Sequence, residues 1–191
     1  MVHQMEVVMT GIPPTMRLGC LLQEWLDTHA DGETAKADPV SGVSEYETTN
    51  TIGGQPYAAR LSTHESTQWI RLQLRTPWQV PEERHGDACR LVNEINRSIA
   101  VGRLIAQAGG PFELEIVTDI EGCEPSPLVV TNMTRAGDYA LRRYGLALAR
   151  IAFNPVVDVA TLLAEASSEH DQVLGVDLVE ESGCDSLPAM L

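Results

Sequence analysis

Between Gly86 and Val101 the chain reads GDACRLVNEINRSIAV. Ala88, Leu91, Val92, Ile95 and Ile99 recur there at the three- and four-residue steps that place them on one stripe of a helix. Asp87 stands in its first turn, where a carboxylate complements exposed N–H groups, and Gly102 supplies a residue on which a helix can end. The segments on either side follow a different period. Thr67–Thr76 alternates, with Ile70, Leu72 and Leu74 on one face and Trp69, Arg71, Gln73 and Arg75 on the other. Pro111–Glu121 does the same, Phe112, Leu114, Ile116, Thr118 and Ile120 opposing Glu113, Glu115, Val117, Asp119 and Glu121. The helix is therefore expected to cover a sheet that both segments build. One buried and one wet face is the pattern of an antiparallel sheet packed on one side.

The remaining elements fall around this centre. Gly11-Ile12-Pro13-Pro14 stops local structure and Thr15 can cap a helix from Met16 to His29, in which Leu18, Leu21, Leu22, Trp25 and His29 share a face with Leu26 at its edge. Gly19 weakens that helix by up to ~1 kcal/mol, so packing must hold it; its stripe reads as core, or as a dimer face. Residues 30–43 read as a polar loop. Ser44–Asn50 and Gln55–Thr63 flank a Gly53-Gly54 turn, with Tyr57, Ala59 and Leu61 inward, and Pro77 and Pro81 around Trp78 are expected to end the next strand. Arg103–Ala108 and Pro111–Glu121 form a second hairpin at Gly109-Gly110. Residues 127–133 read either as a strand or as the lead into a helix from Ala136 to Phe153, which buries Ala140, Leu141, Tyr144, Ala147, Leu148, Ile151 and Ala152 and breaks at Asn154-Pro155. A short helix follows between Val156 and Ala166. The sum is an α+β fold: an antiparallel sheet of about five strands flanked by helices, in the order α-β-β-β-α-β-β-(β)-α. Residues 1–14 form an N-terminal extension, 15–166 one domain and 167–191 an acidic C-terminal tail.

Composition narrows the partners. With 191 residues, 43% hydrophobic and 21% charged, the chain can build a real core. A net charge of −14 repels phosphate backbones and anionic lipid, so neither nucleic acid nor a membrane surface is an expected partner. Many soluble proteins are simply acidic, which is the plainer meaning of that charge. Cys20, Cys89, Cys123 and Cys184 form no CxxC pair, the N-terminus lacks a signal-peptide pattern, and no apolar run approaches the roughly 20 residues that span a bilayer. The expectation is a cytoplasmic protein with free thiols and no metal or cofactor.

No reaction is legible. His3, His29, His64, His85 and His170 show no ligand spacing, His85 and Asp87 read as a solvated helix start, and the two Gly-Gly pairs lack the lysine and helix context of a phosphate cradle. Alternation alone accounts for the pair Glu113 and Glu115. If the strand groups adjoin, Arg60, Arg71 and Arg75 can pair with the acidic face of Glu113, Glu115, Asp119 and Glu121, each exposed pair worth ~0–1 kcal/mol and more useful for register than for stability. Asn93 and Asn96 point to a structural hydrogen bond with backbone in an adjoining strand or loop. Arg135, Arg142, Arg143 and Arg150 concentrate positive charge on the last long helix, either to pair with the acidic tail and nearby glutamates or to receive an acidic partner segment. With Trp69 and Trp78 they are the candidate partner-binding residues.

A helix carrying Leu91, Val92, Asn93, Ile95 and Asn96, followed by Gly102 and a hairpin, resembles the YbjN-type family of bacterial sensory-transduction-regulator-like proteins over residues 15–153. The layout is also similar to that of type III secretion chaperones. The long first loop and the acidic extension beyond Asn154 depart from the compact pattern. The resemblance implies a secretion-chaperone-like fold, a homodimer, and binding of peptides rather than turnover of substrates. The leading expectation is thus a non-enzymatic protein- or peptide-binding protein, chaperone-like or a regulatory adaptor, with a protein client. The alternatives are a small-molecule-binding regulator or enzyme of unrecognised class with a pocket between sheet and helices, or a structural subunit of a larger complex.

Overall fold

The computed structural model describes residues 15–30 and 32–166. The chain runs α1 (Arg17–His29), β1 (Lys36–Asp38), β2 (Val43–Ile52), β3 (Gln55–His64), β4 (Trp69–Gln79), α2 (His85–Asn96), β5 (Arg103–Ala106), β6 (Pro111–Asp119) and α3 (Pro127–Phe153). Residues 159–166 are helical again. The six strands form one antiparallel sheet in the order β1-β2-β3-β4-β6-β5. The expected N-terminal extension and acidic tail lie outside the described residues.

Period-two alternation sets the register. Leu72 stands opposite Leu61 on β3 and Ile116 on β6, and Leu74 opposite Ala59 and Leu114, so one face of the sheet is apolar from strand to strand. Those side chains are at most 5% exposed, and Leu22, Leu91, Ile95, Leu148 and Ile151 of the three helices close over them. α3 lies close on the sheet at its glycines: a Cβ on Gly145 would stand 2.6 Å from the Tyr57 hydroxyl.

The structure differs from the sequence reading at five boundaries. α2 stops at Asn96, short of Val101, and Ile99 packs half-buried beyond its end. Gly102 is not the helix terminus. With φ +83°, it carries the chain over β6, where a Cβ would meet Ile116 Cγ1 at 2.6 Å and the Glu115 carbonyl at 2.8 Å. The polar loop after α1 contains β1, because Lys36–Asp38 finds a partner in Val43–Glu45. β4 runs through Pro77, whose missing N–H is tolerated where the register shifts between Arg75 and Gln79. Of the two readings of residues 127–133, the lead into the helix is the one realised, and the helix starts well before Ala136. Ser126 accepts the Leu128 N–H and Pro127 takes the first helical position, so α3 begins there and buries Val130 and Met133.

The fifth difference is the cap of α1. Thr15 does not provide it; Glu65, in the turn between β3 and β4, accepts from the Leu18 N–H at 2.7 Å and the Gly19 N–H at 3.0 Å. A carboxylate there satisfies two orphan donors and complements the helix dipole. Among the described residues no helix is long and apolar enough to cross a membrane.

Candidate functional site

The two edges of the sheet are finished differently. At β5, Asn96 reaches from the end of α2. Its Oδ1 accepts the Leu104 N–H at 2.7 Å and its Nδ2 donates to the Leu104 carbonyl at 2.9 Å. A carboxamide offers the same donor and acceptor as a peptide group, so Asn96 occupies the place of a neighbouring strand. His85 Nε2 lies 3.4 Å from the Ala106 carbonyl and 3.3 Å from Cys89 Sγ on the same helix. α2 thereby covers this edge.

At the other edge β1 pairs only with Val43–Glu45, and Tyr46–Ile52 has no strand on its outer side among the described residues. The Gly53-Gly54 turn, with φ +57° and +77°, pairs Ile52 with Gln55 as its closing residues. Alternation from that pair turns the main-chain groups of Glu47, Thr49 and Thr51 outward. Thr49, Asn50 and Thr51 are exposed, and none carries a charge that would discourage pairing.

Recesses flank this free edge on both faces of the sheet. On the helix side one of about 360 Å³ is lined by Trp25, His29, Tyr46, Thr48, Leu61 and Leu72. The next, of about 340 Å³, is lined by Asn50, Ile52, Leu74, Thr134, Arg135 and Asp138. Trp25 is held in place by its Nε1–H, which donates to Thr131 Oγ1 at 3.1 Å, and by stacking on His29 at 4.8 Å. On the opposite face a recess of about 410 Å³ lies between Glu47, Thr49, Ala58, Arg60, Gln73 and Arg75.

That opposite face is a charge lattice. Arg75 Nε donates to Glu113 Oε2 at 2.6 Å and Gln73 Nε2 to Glu113 Oε1 at 2.8 Å. Arg103 and Arg71 both reach Glu115, at 2.6 and 3.4 Å, while Arg60 pairs with Glu45 at 2.5 Å and Glu47 at 3.5 Å. The hydrogen bond to Glu45 raises the Arg60 pKa further, against the opposing effect of desolvation. The face expected to be wet is only partly so. Glu113 and Glu115 are 9% and 8% exposed, being bonded by Gln73 and by arginines from neighbouring strands.

The six residues singled out as partner-binding candidates are dispersed. Arg135 is exposed at the recess beside Asn50 and Ile52. Arg142 donates to Asp138 at 2.7 Å, which raises its pKa, and Arg143 lies over the Tyr144 ring at 5.1 Å. Arg150 pairs with Glu165. Trp69 sits on the lattice face, stacked on His64 at 5.3 Å with Arg71 4.8 Å from its centroid. Trp78 is on the opposite, helix-covered face, edge-on to Tyr57 at 6.0 Å and 6.1 Å from Phe153. Asn93 is exposed. The free edge was not anticipated; its signal is the run Thr48-Thr49-Asn50-Thr51, a strand without outward lysine or proline. No group of three or more His, Cys, Asp or Glu suited to a metal occurs among the described residues.

No family model matches the chain, and no curated protein does. Among solved structures, it is similar to a chain of the ExsC–ExsE complex, 13% identical with a TM-score of 0.46, over 69% of this chain and 96% of that one. It is also similar to a chain of the HopA1–SchA chaperone–effector complex, 16% identical with a TM-score of 0.44, over 66% of this chain and 91% of that one.

Proposed function

We propose that this is a protein-binding protein that takes an extended client segment as an added strand along Tyr46–Ile52 of β2. The observation that carries the reading is the asymmetry of the sheet edges: α2 closes β5 with Asn96, whereas this stretch of β2 has outward main-chain groups with no strand partner among the described residues, between recesses on both faces. Strand addition draws its affinity from main-chain hydrogen bonds and its selectivity from alternate side chains. Residues of the added strand would alternate between the recesses beside Leu61, Leu72 and Leu74 and the polar recess beside Arg60 and Arg75. Apolar side chains suit the first set, and Arg135 at its margin suits an acidic residue.

In this reading the protein is non-enzymatic, a cytoplasmic chaperone-like or adaptor protein. The YbjN-type motif of Leu91, Val92, Asn93, Ile95 and Asn96 favours the same class and adds a homodimer. Arg142, Arg143, Arg150, Trp69 and Trp78 then lie away from the first contact and serve, if at all, a longer client.

The test is selection from randomised displayed dodecapeptides against the full chain. The expected binders alternate apolar with polar residues, protect the amides of residues 46–52 from exchange, and bind the Thr49→Pro variant at least tenfold more weakly. Thr49→Pro removes an outward N–H and leaves the β2–β3 ladder intact. Binders that are indifferent to Thr49→Pro, in a variant that melts like the parent, would overturn the reading.

A further inference from the structure

The two recesses on the helix side of β2 present opposite charges. The one beside Tyr46 is lined by Trp25, His29, Leu61 and Leu72, and Glu33 is the carboxylate among its described lining residues. Its aromatic wall is fixed: Trp25 donates to Thr131 and stacks on His29, whose Nδ1 lies 2.9 Å from the Trp25 carbonyl. Glu33 is fixed through its main chain. Its N–H donates to the Ala30 carbonyl at 3.1 Å, and its carbonyl accepts from Gln23 Nε2 at 3.2 Å. Gln23, buried on α1, also accepts the Ala35 N–H at 3.0 Å, so one side chain pins the loop that carries Glu33 onto the helix. The Glu33 side chain makes no ion pair among the described residues. In the neighbouring recess the carboxylate is engaged and the cation is not. Asp138 accepts from Arg142, whereas Arg135 makes no ion pair among the described residues.

We propose that the recess beside Tyr46 takes a lysine or arginine side chain of the client, and that this cation sets the client's register on β2. The proposal rests on the strand-addition reading and deepens it. Main-chain pairing alone fixes no register, because a strand can slide by two residues and keep the same face inward. Two unlike recesses remove that freedom. A client side chain opposite Thr48 reaches the recess of Glu33, and the next on the same face, opposite Asn50, reaches towards Arg135. A long aliphatic stem packs along Leu61 and Leu72 while its charged head lies beside the aromatic wall and meets Glu33. A purely apolar side chain leaves Glu33 unused, and an acidic one meets it as a like charge. At longer range the net charge of −14 draws basic segments towards the chain. The preferred client thus carries a basic residue, one intervening residue, and then an apolar or acidic one.

The test runs the dodecapeptide selection against the full chain in three forms: parent, Glu33→Gln and Glu33→Lys. The Glu33 side chain is exposed, so both variants should melt like the parent. Parent binders that depend on Thr49 should carry Lys or Arg at one fixed position. Replacing that residue by norleucine should weaken binding to the parent about fivefold, as expected for one half-exposed ion pair beside an aromatic ring, and binding to Glu33→Gln by less than about twofold. Selection against Glu33→Lys should exchange the basic preference for Asp or Glu. Thr49-dependent binders without a basic preference, or with one that persists against Glu33→Lys, would overturn the proposal and leave strand addition standing. A basic preference that follows Glu33 in binders indifferent to Thr49→Pro would support the recess as a cation site and overturn strand addition instead.

Discussion

The side chain of Asn96 holds Leu104 at both of its main-chain polar groups, at 2.7 and 2.9 Å, and so ends the sheet with a side chain instead of a strand. Asn is a modest helix former, and at the last residue of α2 its carboxamide does more for the fold than a better helix former would. The same contact leaves Leu104 with no open main-chain group on the outer side of β5.

Asn96→Ala leaves the Leu104 N–H and carbonyl without partners at a half-covered edge. We expect a loss of about 1–3 kcal/mol in urea denaturation, the cost of partly desolvated polar groups left unpaired. We also expect concentration-dependent association in sedimentation, because the exposed β5 edge then accepts strands. A variant as stable and as monodisperse as the parent would show that water serves Leu104 equally well.

Glu65 is remote in sequence from the helix it caps. Glu65→Ala should cost about 1 kcal/mol, the usual worth of an N-cap, and should speed amide exchange in the first turn of α1 more than elsewhere. Glu65→Gln keeps an acceptor oxygen and should recover part of the loss. Equal losses for the two variants would assign the effect to charge rather than to hydrogen bonding.

Tyr57 is 1% exposed, and burial pushes its phenol above the ordinary value of 10.0. The unfolded chain therefore releases this proton at lower pH than the folded one. The corresponding stability is complete below about pH 10 and falls as pH rises through the range between the two values. Tyr57→Phe should flatten that decline in denaturation series above pH 10. A decline of the same slope in the variant would place its origin in other groups.

Alternation along Thr67–Thr76 and Pro111–Glu121, and the stripe of Leu91, Val92 and Ile95, were enough to determine an antiparallel sheet with helices on one face, since those periods are local properties of the chain. The pairing of Arg75 with Glu113 followed as soon as the two strand groups were placed side by side. What tertiary structure alone decided lies between segments distant in sequence. Glu65 takes the N-terminus of α1, Gly102 crosses β6 where no Cβ fits, and Lys36–Asp38 becomes a strand only because Val43–Glu45 is within reach. The free edge of β2 belongs to the same group: the run Thr48-Thr49-Asn50-Thr51 leaves pairing possible, but whether a strand has a neighbour is a relation between segments.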